Sequence, residues 1–247
     1  MNIDLTNRIA LVAQGNNDIG RAICRQLAES GARVCCLVQA NSNLTTSFFR
    51  KAGLDVKVYQ AEIGDFNNCK TVIGKIEKEL GYIDIVVNNA ESVCVRPFNA
   101  MTAKQWSDCM TANLDGVFNL CRHISQSMSE RGFGRIINIS SMHSRKGTTG
   151  NSAYAASKFA MHGFTMALAQ ELARKGITVN TVSPGHIKID GLEDVPVTEL
   201  NNMVAGIPAA RLGKAEEVAS LVDYLCSQQA GFITGADIAI NGGQYLH

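Results

Sequence analysis

The chain has 247 residues, of which 46% are apolar and 18% charged, and a formal net charge of +1; this is an ordinary globular composition, and the charge implies no polyanion-binding surface. No apolar run approaches the roughly 20 residues of a membrane helix, and the start, MNIDLTNR, lacks the basic-then-apolar form of a secretory signal. A cytoplasmic protein with neither membrane nor nucleic-acid partners is expected, and the length suits one domain, residues 1–247, with a large core.

Taken in order, Arg8 to Ala13 reads as a buried strand and Gln14 to Gly20 as a turn. A helix opens at Asp18 and runs to Gly31, with Ile19, Ile23 and Leu27 at helical spacing. Strands follow at Ala32 to Val38 and Asp55 to Gln60, with a helix between them at Asn43 to Ala52. Asp65 is placed to cap the next helix, whose apolar stripe includes Val72, Ile76 and Leu80. Ile83 to Asn88 and Arg135 to Ile139 read as strands, with helices at Thr102 to Thr111 and Asn113 to Glu130 between them. Ser152 to Arg174 is a long helix, Ile177 to Val182 a strand, Ala215 to Ser227 a helix and Ile238 to Asn241 a last short strand. Strands alternating with helices imply an α/β fold, a parallel sheet of about seven strands covered on both faces.

Eight Cys are scattered without a C-x-x-C pair, which suits buried thiols of a reducing compartment. His123 and His162 lack metal-ligand spacing, and no catalytic metal is expected.

The most informative stretch is Ser140 to Lys158. It leaves a strand, crosses a loop rich in Gly, Ser and Thr, and enters a helix. Tyr154 and Lys158 stand four apart, so both project from one helix face. Ser141 precedes Tyr154 by thirteen positions, NNA lies upstream at Asn88 to Ala90, and ITVNTVSPG follows at Ile177 to Gly185. In this order and spacing the chain resembles the short-chain dehydrogenase/reductase family, and within it the 3-oxoacyl-(acyl carrier protein) reductases. The resemblance runs from NRIALV to the C-terminal FITGADIAINGGQYLH.

It implies a single doubly wound Rossmann domain and an oxidoreductase that interconverts a ketone and an alcohol with NAD(P), NADP(H) being favoured. Four residues map onto the family's catalytic group: Asn113, Ser141, Tyr154 and Lys158. Ser141 would hold the carbonyl oxygen and Tyr154 would supply the proton. Lys158, by its positive charge, would lower the phenol's pKa, and Asn113 would hold a water beyond it. Ser140 points elsewhere, because side chains alternate on a strand. Cofactor contacts fall to Gly15, Asn17, Ile19, Gly20, Glu62, Ile63, Asn89, Ala90, Tyr154, Lys158, Pro184, Gly185 and Ile187. Ser141, His143 and Tyr154 would meet substrate, and His186 could face the same pocket. Met203, Val204 and Ile207, in a segment from Val195 to Ile207, would form the apolar wall of a lid.

The dinucleotide motif departs from the family's T-G-x-x-x-G-x-G. Gln14 and Asp18 stand at two glycine positions, and Gly15 is displaced by one. Asp18 brings a like charge to the pyrophosphate unless it turns outward. Val38, Gln39 and Ala40 offer neither the acid for an NAD ribose nor the base for a 2′-phosphate, a place Arg21 could fill. NNAG has become NNAE, with Glu91 at the glycine, and Ile189 stands for a Thr. Arg131, Arg174 and Lys175 could form a basic patch at the pocket rim suited to an acidic acyl carrier protein. The resemblance also implies a homodimer or homotetramer. Two alternatives stay open: a dehydrogenase of a small hydroxyacid, polyol or sugar, with His143 in the pocket, and a non-redox scaffold with an impaired dinucleotide cleft.

Overall fold

The computed structural model describes residues 3–89 and 91–246. Its strands are β1 (Ile9–Ala13), β2 (Arg33–Val38), β3 (Val56–Gln60), β4 (Ile85–Asn88), β5 (Gly134–Ile139), β6 (Ile177–Pro184) and β7 (Asp237–Ile240). They form one sheet in the order β3-β2-β1-β4-β5-β6-β7, with every pairing parallel. The helices are α1 (Asp18–Glu29), α2 (Ser42–Lys51), α3 (Phe66–Leu80), α4 (Ala103–Met110), α5 (Gly116–Arg131), α6 (Ser152–Leu172), α7 (Val197–Ala205) and α8 (Ala215–Cys226).

β1 shows why the strands read as unbroken apolar runs. All five of its residues are buried. Ile9, Leu11 and Ala13 join a core with α3, α5 and α6 residues such as Ile76, Leu120 and Met161. Ala10 and Val12 point the other way, into a core with Ile23 and Leu27 of α1 and Val218 and Val222 of α8. A parallel sheet covered on both faces has no polar side to alternate with.

Side-chain caps set helix starts. Asp65 accepts from Asn68 N at 2.7 Å and opens α3 as expected, and Thr102 forms a capping box with Gln105. The gap expected at Ala112 is no break. Thr111–Asp115 is a π-helical turn joining α4 to α5, and it contains the fully buried Asn113. Such turns recur at functional sites.

The expected basic patch is not at the pocket. Arg131 ends α5, and its guanidinium bonds Asp84 Oδ1 at 2.5 Å and Ile83 O at 2.6 Å, just before β4. Arg174 and Lys175 precede β6. In a parallel sheet these positions share the amino edge, opposite the carboxyl edge where ligands bind.

Candidate active site

The strand order reverses between β1 and β4, and the crevice outside their carboxyl ends is the ligand position of an open α/β sheet. The turn after β1 is built for close approach. Gln14 has φ +48°, so it keeps a left-handed conformation natural to glycine, at a strain of about 1–2 kcal/mol. A Cβ at Gly20 would come within 2.5 Å of Gln14 O and 2.7 Å of Gly15 Cα. A Cβ at Gly15 would meet Cys36 Sγ at 2.6 Å and Cys24 Sγ at 2.9 Å. Both glycines are therefore required by the turn's own packing.

Asn17 caps α1, accepting from Gly20 N at 2.7 Å, and also accepts from Asn89 Nδ2 at 2.9 Å. Two expected cofactor residues, Asn17 and Asn89, thus tie the turn to the end of β4. Asp18 does turn outward, but without capping its own helix. Its Oδ2 accepts from Asp190 N at 2.9 Å and its Oδ1 lies 3.6 Å from Arg21 Nη1. Arg21 is held by Asp18, by Asp190 at 3.3 Å and against the Phe48 ring at 4.6 Å. It is therefore not poised for a 2′-phosphate.

At the expected adenosine end, Leu37, Val38, Ala61, Ile63 and Ala112 line a slot of about 30 Å³. Gln39 Nε2 donates to Glu62 Oε2 at 2.5 Å beside it. At the other end a cavity of about 270 Å³ is lined by Ile19, Tyr154, Lys158, Pro184, Gly185 and Ile187, all expected there. Ala90, also expected at the cofactor, lies outside the described residues.

Tyr154 is 2% exposed and Lys158 1%. The phenol donates to Glu91 Oε1 at 2.5 Å, while Glu91 N donates to Gln14 Oε1 at 2.9 Å. A Gln14–Glu91–Tyr154 bridge therefore crosses the crevice. Lys158 Nζ donates to Ile139 O at 2.9 Å and lies 5.8 Å from the phenol ring centroid. In this arrangement Glu91, not Lys158, is the charge nearest the phenol oxygen. Burial, then the Glu91 charge and its hydrogen bond, push the phenol well above its ordinary pKa, opposed by a Ser141 hydrogen bond. At an effective dielectric of about 20, a charge about 2.5 Å away acts on tyrosinate with about 6–7 kcal/mol, less where solvent reaches the exposed Glu91. Burial pushes the Lys158 ammonium down, opposed by Glu91.

Ser141 Oγ accepts from His143 N at 3.2 Å. Ser140 points away, as expected, donating to Lys158 O at 3.1 Å. The Asn113 side chain turns to the segment after Glu91 and to α6. Its Oδ1 accepts from Ser92 N at 2.7 Å, and its Nδ2 reaches Ser92 O at 2.9 Å and Ser157 Oγ at 3.0 Å. It anchors the segment after Glu91 to α6.

On the substrate side, His143 and His186 both line the cavity, with ring centroids 6.2 Å apart. Burial pushes both imidazoles below their ordinary pKa. Of the expected lid wall, Met203 reaches the cavity, as does Ile189. Ile207 is buried beside a separate cavity of about 70 Å³, and Val204 lines neither. The sequence reading missed Val93 and Leu192 in the wall, the reach of Glu91 to Tyr154, and a buried cluster behind Ser141. In that cluster His162 Nε2 lies 2.9 Å from Ser140 Oγ and 3.0 Å from Ser144 Oγ, and Nδ1 lies 3.0 Å from Asp237 Oδ2.

A strand reversal over a glycine-cradled turn, with Ser, Tyr and Lys gathered at the same edge, defines a dinucleotide-type oxidoreductase. A model of the family described as enoyl-(acyl carrier protein) reductase matches residues 13–245. Acetoacetyl-CoA reductase of Cupriavidus necator is 40% identical over 245 residues, 98% of this chain and 100% of that protein. Acetoacetyl-CoA reductase of Rhizobium meliloti is 42% identical over 241 residues, covering 97% and 99%. The 3-oxoacyl-(acyl-carrier-protein) reductase of Escherichia coli is 35% identical over 244 residues, covering 99% and 100%. The chain belongs to the short-chain dehydrogenase/reductase family, oxidoreductases that interconvert ketones and alcohols with a nicotinamide dinucleotide.

Among the described residues, no helix is long and apolar enough to cross a membrane. No group of three or more His, Cys, Asp or Glu among them is placed to hold a metal. The eight cysteines are free, and all but Cys94 are buried.

Proposed function

We propose that the protein reduces a 3-oxoacyl thioester, a CoA ester rather than a carrier-protein ester, with NADPH as reductant. The observation that carries this reading is the gathering of Ser141, Tyr154 and Lys158 around one cavity at the strand reversal. The acetoacetyl-CoA reductases quoted are more similar to this chain than the carrier-protein reductase is.

The residues fit a dinucleotide if two contacts part. The slot beside Leu37 and Ala61 is too small for a purine until Gln39 and Glu62 separate. The Gln14–Glu91–Tyr154 bridge stands where the nicotinamide end must pass. No acid stands at Val38, Gln39 or Ala40, at the end of β2, to repel a 2′-phosphate, which supports NADP(H). Tyr154, Lys158, Asn89, Ile19 and Ile187 would then hold the cofactor, which supplies the hydride when bound. Ser141 holds the carbonyl oxygen, and Tyr154 passes its proton to that oxygen as charge develops. Lys158, buried beneath, favours the tyrosinate left behind, and Asn113 keeps the Glu91–Ser92 segment in register. Phe118, Phe159 and Met166 are about half exposed on α5 and α6, which supports pairing with a second copy there.

Purified protein should consume NADPH, and NADH more slowly, when given acetoacetyl-CoA. Turnover of a free hydroxyacid, polyol or sugar with no thioester turnover would replace this reading with the alternative that places His143 against a small alcohol.

A further inference from the structure

His186 follows Pro184-Gly185 at the end of β6 and shares the cavity with Tyr154 and His143. Its backbone N–H donates to Gln244 Oε1 at 2.8 Å, and its ring Nδ1 lies 2.7 Å from Gln244 Nε2. A backbone N–H can only donate, so the first contact fixes which end of the Gln244 amide is oxygen. An amide nitrogen can only donate, so Nδ1 accepts and carries no proton. The neutral ring therefore bears its proton on Nε2. Burial, with His143 and Lys146 acting in the same direction, holds this imidazole below its ordinary pKa, which keeps it neutral near pH 7.

The clamp is built into the backbone. A Cβ at Gly185 would strike Gln244 Oε1 and lie 2.8 Å from Asn241 Cα, so only glycine lets the C-terminal segment reach His186. Nδ1 is engaged with Gln244, and among the described residues no hydrogen bond is made to Nε2. The His143 ring lies 6.2 Å from that of His186 and 6.3 Å from that of Tyr154. The cavity thus holds a second fixed donor, set apart from the Ser141–Tyr154 pair.

We infer that His186 is a specificity-determining residue: its Nε2–H binds the second carbonyl oxygen of a 1,3-dicarbonyl substrate while Ser141 and Tyr154 hold the ketone oxygen. This rests on the reductase reading above. A carbonyl oxygen only accepts, so a fixed donor suits it. A simple ketone leaves the donor unpaired, which disfavours that substrate.

The test has two arms. Nitrogen NMR of the labelled wild-type protein should show His186 unprotonated at Nδ1 and protonated at Nε2. In His186→Phe, which keeps a flat ring but removes the donor, KM for an acetoacetyl thioester should rise about tenfold while kcat falls far less. The preference for that thioester over cyclohexanone should shrink by about the same factor. A merely structural role would lower both substrates together. Protonation of Nδ1 in the wild type, or an unchanged preference in His186→Phe, overturns the inference. Should that variant fail to fold, the wild-type tautomer decides. If wild-type protein reduces no 3-oxoacyl thioester, the reductase reading falls and takes the inference with it. Reduction with an unmoved preference removes the inference alone.

Discussion

The Glu91 carboxylate accepts a 2.5 Å hydrogen bond from the Tyr154 phenol, across 63 positions of sequence. On the function proposed above, it takes the hydrogen bond that a substrate carbonyl oxygen would need. With Gln14 bound to Glu91 N, the contact joins the turn after β1, the segment after β4, and α6 over the crevice. On that reading both partners separate before the reaction proceeds.

Titration of Tyr154 reads this contact directly. Burial and Glu91 raise its pKa, so the contact contributes stability below about pH 10, the ordinary tyrosine value, and loses it as pH rises through the folded-state pKa. Difference absorbance against Tyr154→Phe should show Tyr154 still protonated at pH about 10. In Glu91→Gln its ionisation should begin at lower pH. An unshifted titration would show that Glu91 does not control the phenol.

Tyr154→Phe should lower NADPH-dependent turnover at least about a hundredfold, the low end for general acid–base help. Steady-state rates with acetoacetyl-CoA check this, and near-normal turnover would remove Tyr154 from the proton transfer.

Asp18 separates charge from contact. Because its Oδ2 holds Asp190 N and its Oδ1 faces Arg21, its charge is partly matched and turned toward the loop after β6. Asp18→Asn keeps the acceptor and removes the charge. NADPH affinity, followed by fluorescence titration, should stay within about twofold, whereas direct repulsion of pyrophosphate would make it tighten far more.

His162→Leu should destabilise the fold by about 2–4 kcal/mol, because it leaves a mostly buried carboxylate and two buried hydroxyls short of partners. Burial pushes Asp237 up, but the hydrogen bonds of His162 and Ser183 prevail and hold it below its ordinary pKa. Its share of stability is therefore present above about pH 4 and lost as pH falls further. Urea unfolding of both proteins at neutral and acidic pH gives the comparison.

The strands and most helix starts were legible because buried parallel strands are continuous apolar runs and caps such as Asp65 are local. Spacing likewise marked Ser141, Tyr154 and Lys158. The π turn at Thr111–Asp115 read as a gap because one extra residue shifts the helical period. The surroundings of the Tyr154 phenol were not legible, because helical spacing shows that Lys158 is near but not where its ammonium points. A 63-residue contact with Glu91 has no periodic signature. The basic patch was misplaced for a topological reason: residues just before parallel strands gather at the amino edge, however close their numbers lie to the site's.

The dinucleotide affinity of Glu91→Gly beside that of the wild type tests the central claim most directly. If the bridge stands in the nicotinamide's path, both proteins saturate with NADPH and the variant does so at a concentration at least about tenfold lower, about 1.4 kcal/mol. A variant that binds no better than wild type, or a wild type that shows no saturation with either NADPH or NADH, would contradict it.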